Sequence, residues 1–104
     1  MLVSDLKPFE CVQLVEGTGD SIMHVIKGQD EEIFVTRDND IRRLSANESN
    51  ETNQWVYNQF SKEKGIKDNT LDVVEKIQKT SRDWYVMLLC EIIIKGYEEV
   101  SSNS

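Results

Sequence analysis

Histidine occurs once in this chain of 104 residues, at His24, and cysteine only twice, at Cys11 and Cys90. Chemistry that needs an imidazole as base or metal ligand would have to use His24. That residue alternates with Ile22 and Ile26 on one face of an apolar strand pattern, where a packed, hydrogen-bonded histidine is the expected role. The two thiols lack the Cys-x-x-Cys spacing of redox and zinc sites. Neither has the electropositive sequence neighbourhood that would make it a nucleophile. Both are expected to be small apolar core residues, unbridged in a reducing compartment.

Long apolar runs are also scarce. The one extended run, Trp84 to Ile94, is interrupted by Glu91 and followed by Lys95 and Gly96. It falls short of the roughly 20 residues that a membrane span requires. Met1 to Asp5 carries none of the basic, apolar and small-residue features of a secretory signal, so the expectation is a soluble cytoplasmic protein. Cationic charge is in deficit, with 12 Lys and Arg against 19 Asp and Glu and a net charge of −7. Residues 1–52 hold eleven acidic and five basic side chains, residues 53–104 eight and seven. A field of that sign repels phosphate backbones and attracts basic surfaces, which argues against nonspecific duplex binding as the main activity.

What is present is a pattern that changes along the chain. Phe9 to Val15, Ser21 to Lys27 and Glu31 to Thr36 are short runs rich in Val, Ile and Phe, separated by Gly17 to Asp20 and Gly28 to Asp30. Such spacing predicts an antiparallel meander with the second run in the centre. Ile41 to Leu44 is a fourth short strand or the lead into a helix. Ser45 to Gln54 is polar and reads as a loop entering a helix at about Asn50, with Val56, Tyr57 and Phe60 as its apolar stripe and Gly65 at its C-terminal cap. Asn69 to Asp72 resembles a capping box for a helix to about Lys79, and Thr80 to Asp83 resembles another. The Trp84 run then reads as a helix, since Glu91, Lys95 and Glu98 share one stripe, with a central buried strand as its alternative. Glu98 to Ser104 is expected to fray.

The predicted fold is one α+β domain over residues 1–104. An N-terminal antiparallel curved sheet or small barrel of three to four strands, over about 9–44, precedes three helices over about 50–98. Because the strands are partly apolar on both sides, a strongly curved sheet or small barrel capped by the last helix is the favoured form, with a flat sheet carrying helices on one face as its alternative.

The local motifs carry little chemistry. Gly17 to Ser21 lacks the Gly-Lys-Ser/Thr end of a phosphate loop. Asp38, Asn39 and Asp40 open like a calcium loop, but Arg42 stands at the next ligand position and the later Gly and Glu are missing. No catalytic set, metal site or cofactor is expected. Lys62, Lys64, Lys67, Lys76, Lys79 and Arg82 are interleaved with acids and read as a solvated face.

The expected function is therefore noncatalytic: a small acidic protein that binds another protein, including a basic one, in a regulatory or accessory role. Trp55, outside the predicted core stripe, is the candidate anchor, with Asp30, Glu31 and Glu32 as the acidic corner that would steer a partner. One alternative is a phage or mobile-element inhibitor that mimics nucleic acid on a basic enzyme. The other is a small β-barrel RNA-binding module using Arg37, Arg42 and Arg43. The first half of the Trp84 helix has no polar side. It must be covered by the chain itself or by a second copy through Trp84, Met87 and Leu88.

Overall fold

Strands β1 (Cys11–Glu16), β2 (Ser21–Lys27), β3 (Ile33–Arg37) and β4 (Asp40–Arg43) run as an antiparallel meander. They are preceded by a 3-10 turn at Val3–Asp5 and followed by α1 (Ala46–Asn53), β5 (Ile66–Asp68), α2 (Thr70–Thr80) and α3 (Trp84–Ser102). The computed structural model describes residues 2–16, 21–55 and 66–102. Sheet order is β4-β3-β2-β1-β5, with β5 antiparallel to β1. The fold is α+β, with β2 central as expected. The sheet stays open between edges β4 and β5, so no barrel forms.

Apolar residues on both sides of the strands have a different cause: each face has its own cover. Register pairs Cys11 with Ile26 and Ile26 with Phe34, and this face packs on α2 and α3 through Val74, Ile77, Leu89 and Ile93. The opposite face carries Val12, Met23, Val25 and Ile33, packed with Val3, Leu6 and Leu44, and α1 lies over β3 on that side. Phe34, Ile26, Ile93 and Leu89 are at most 1% exposed, each stabilising by about 1.5–3 kcal/mol on area grounds. An antiparallel sheet normally solvates one face. This one does not.

A turn locks the sheet to α3. The Glu10 amide donates to the Lys7 carbonyl at 3.0 Å, closing a turn with Pro8 and Phe9 at its centre. Pro8 suits the first central position, and the second takes positive φ, normally a glycine requirement. Phe9 adopts it, at φ 63°. Its ring lies flat on Gly96, where any Cβ would sit 2.2 Å from the ring carbon Cζ. Its carbonyl accepts the buried Thr70 hydroxyl at 2.6 Å. Ring burial and this hydrogen bond offset a backbone strain of about 1–3 kcal/mol.

Several expected boundaries move. α1 spans Ala46–Asn53, where the polar composition read as loop. Ser45 caps it, accepting from the Glu48 amide, while Glu48 reaches back to the Ser45 amide. The stripe Val56, Tyr57 and Phe60 and the Gly65 cap lie outside the described residues, as do Gly17 to Asp20. Asn69 caps α2 through the Leu71 and Asp72 amides. Thr80, by contrast, does not cap α3: its hydroxyl donates back to the Lys76 and Ile77 carbonyls, and Asp83 accepts from Tyr85 and Val86 instead. The expected frayed tail is helical to Ser102. Among the described residues, no helix is long and apolar enough to cross a membrane.

Candidate functional site

The β3–β4 hairpin, α1 and Trp55 enclose a cleft of about 810 Å³, within the size range of ligand pockets. Its floor is the unfinished edge of the second core cluster: Met23, Val35 and Leu44. Its rim carries Arg37, Asp38, Asp40, Arg42, Glu48 and Glu51. Four carboxylates against two guanidiniums leave the rim net acidic. Trp55 stands on one wall at 38% exposure. It belongs to no helix: α1 ends at Asn53, and the Trp55 carbonyl is fixed by the Val3 amide at 2.8 Å.

Strand parity explains which arginines reach the cleft. Arg37 lies opposite Met23 and Asp40, and Arg42 opposite Val35, so both project to the α1 side. Arg43, one residue on, projects to the other side. There its Nε is 2.8 Å from Glu32 Oε1 and its guanidinium lies 5.5 Å from the Phe34 ring centre. The three arginines grouped by sequence are thus divided between two faces. The structure brings Trp55 together with Arg37 and Arg42, a pairing the sequence did not suggest.

Neither cleft arginine is a bare cation. Arg42 donates to Glu48 Oε2 at 3.0 Å. This bond, with the Ser45 cap bonds, holds the Glu48 carboxyl below its usual range. Arg37 Nη2 lies 4.0 Å from Met23 Sδ, so its guanidinium lies against the apolar floor. At the hairpin tip Asp38 takes φ 56°, the positive value that a two-residue β-hairpin loop demands and that Asp tolerates better than bulkier residues.

The expected acidic corner is not a free patch. Glu32 is held by Arg43, and Glu31 Oε2 accepts from Asn53 Nδ2 at 3.4 Å. Asp30 is exposed at positive φ in its turn. Asn53 also accepts from Lys27 Nζ at 2.9 Å. Lys27 is only 6% exposed, a buried ammonium that sequence reading passed over. Its signal was available: Lys27 shares strand parity with Met23 and Val25 and points to the α1 side.

Register sets Cys11 opposite Ile26 and His24 opposite Gln13, so the two are diagonal rather than facing. Cys11 is 1% exposed within the apolar cluster. Cys90 shares that cluster, and burial pushes its thiol up to about 11. Neither cysteine is in a disulfide. Among the described residues no group of His, Cys, Asp and Glu is placed to hold a metal ion. Set against protein-family models, curated proteins and solved structures, the chain matches none.

Proposed function

We propose that this is a noncatalytic binding protein whose partner inserts a Lys or Arg side chain into the cleft between the β3–β4 hairpin and α1. The observation that carries this reading is the combination of an exposed Trp55, an apolar floor and a net acidic rim in one concavity. A long cationic side chain matches all three. Its methylenes cover Met23 and Val35, its charge meets Asp40 and Glu51, and Trp55 offers a ring face to the cation.

The RNA reading draws less support, because Arg43 is engaged on the other face and Arg42 is held by Glu48. The nucleic-acid mimic calls for a ridge of carboxylates, whereas those of the cleft rim alternate with arginines. A basic enzyme remains within the class of partner proposed.

The test uses Trp55 emission in a Trp84→Phe background. Oligo-lysine and oligo-arginine peptides should shift the emission, with a response that weakens as salt rises and is lost in Asp40→Asn/Glu51→Gln. A response to single-stranded RNA in place of the peptides would overturn the reading, as would silence to all of them.

A further inference from the structure

Among the described residues, one face of α3 has no partner. Trp84 is 73% exposed, Tyr85 49%, Leu88 44% and Ile92 38%. On a helix of 3.6 residues per turn these four lie along one stripe, which Lys95 and Glu99 extend toward the C-terminus. The other flanks are occupied. Val86, Leu89, Cys90 and Ile93 face the core, and α2 lies along the flank where Gln78 Nε2 donates to the Met87 carbonyl and to Glu91 Oε2. Trp84 and Tyr85 are already set edge to face, 6.1 Å between centres, so the aromatic end of the stripe is preorganised rather than splayed.

We propose that this stripe is the contact face of a homodimer in which two copies of α3 pack antiparallel, independently of the cleft. The charges beside the stripe select both the occupant and its orientation. Exposed Arg82 stands just before the helix, and exposed Glu98 and Glu99 stand near its end. A two-fold axis at the level of Cys90 sets Leu88 against Ile92 of the second copy. It brings Trp84 and Tyr85 to the level of the second copy's Lys95, where an ammonium meets ring faces. Arg82 then reaches the level of Glu98 and Glu99.

Parallel pairing would instead oppose arginine to arginine and glutamate to glutamate. Asp83, at the same end as Arg82, turns its carboxylate back onto the amides of Tyr85 and Val86, which leaves Arg82 as the outward charge. An anionic membrane is disfavoured by Glu91, Glu98 and Glu99 along the same helix. A single helix face buries less than the roughly 800 Å² per partner of a standard interface, so the dimer is expected to depend on concentration.

Sedimentation velocity across a concentration series should show monomer passing to dimer. Trp84 emission, read in a Trp55→Phe background, should move to shorter wavelength over the same range. Leu88→Glu should abolish both changes while retaining the monomer's circular dichroism, since the site is exposed; Trp84→Lys provides a second variant should that one misfold. Arg82→Glu should weaken dimerisation at least tenfold, and Glu99→Arg added to it should restore part of the loss. The proposal is overturned by a monomer at every concentration, by a dimer indifferent to Leu88→Glu, or by Trp84 emission already shielded and independent of concentration. A dimer for which the charge exchange brings no restoration overturns the antiparallel arrangement.

Discussion

The two faces of the sheet are closed by different physics. On the α2/α3 side the cover is chiefly apolar, and Phe9, Phe34, Val74, Leu89 and Ile93 share one cluster. On the other side the covering helix α1 has the sequence ANESNETN, with Ala46 its sole apolar residue, and its buried side chains are Ser49, Thr52 and Asn53. The helix is tied to that face by hydrogen bonds, Lys27 to Asn53 and Asn53 to Glu31. A polar helix cannot seal an apolar sheet by area. Where its cover stops, Met23, Val35 and Leu44 become the floor of a cleft. The face that stabilises the molecule and the face proposed to bind are the two sides of one sheet.

The contrast predicts unequal sensitivity to substitution, greatest on the apolar side. Leu89→Asp places a charge without a partner in the α2/α3 cluster and should abolish cooperative unfolding, a loss beyond about 4–5 kcal/mol. Urea denaturation followed by circular dichroism measures it, and an unchanged midpoint would mean that Leu89 is not in the core. Gly96→Ala should come next. The added methyl collides with the Phe9 ring, and either the ring or the strained turn must move, at about 1–3 kcal/mol.

On the polar side the cost should depend on whether one partner or both are changed. Asn53→Ala leaves the Lys27 ammonium without its acceptor and should cost about 1–3 kcal/mol. Lys27→Met/Asn53→Leu removes donor and acceptor together and should recover most of that loss. A double-mutant cycle in urea decides the point. Two losses that simply add would show that the pair is not coupled, and the contrast between the faces would lose its energetic basis.

The legibility of the two faces differs in the same way. The α2/α3 side was readable because apolar periodicity and caps coincide: the Asn69 cap and the Trp84 run mark real helices. The α1 side was not, because α1 offers no apolar period. Its one signal was the capping box of Ser45 and Glu48, which was present in the sequence and went unused. β5 was invisible for a related reason. Ile66, Lys67 and Asp68 are too few to show alternation, and only pairing with β1 makes them a strand. Grouping Arg37, Arg42 and Arg43 ignored strand parity, by which adjacent Arg42 and Arg43 must part. The sequence sets Trp55 at or outside the predicted core stripe, but its place in the cleft depends on α1 ending at Asn53, and a polar helix gives no sequence mark of that end.

Thiol chemistry sharpens the comparison further. With Cys11 and Cys90 both sealed in the α2/α3 cluster, a disulfide-forming aromatic reagent at pH 8 should label neither cysteine in the native state and both in denaturant. The raised Cys90 value carries a sign. The thiol titrates earlier in the unfolded chain than in the fold, so stability should be full below about pH 9 and fall as pH rises toward about 11. A Cys90→Ala variant should lose that alkaline dependence. Rapid native labelling would show that the apolar face opens more readily than its packing implies.

The smallest effect is expected at Glu48, where the polar face meets the cleft. Glu48→Gln keeps a side chain able to accept from the Ser45 amide, so the cap survives, but it removes the ion pair with Arg42. The Glu48 carboxyl is held low chiefly by Arg42, so its contribution should be present above the ordinary carboxylate range and be lost as pH falls below that range through the lowered value of the fold. The pair is exposed to solvent and screened by salt, so the stability difference between wild type and variant should be slight at neutral pH and absent in acid. Binding should respond differently. Freed from Glu48, Arg42 adds an unpaired cation to the rim, and oligo-lysine affinity should fall even though stability barely changes. A Glu48→Gln variant that binds the peptide as wild type does would place the cationic ligand away from Arg42 and confine the site to the Trp55 and Glu51 side of the cleft.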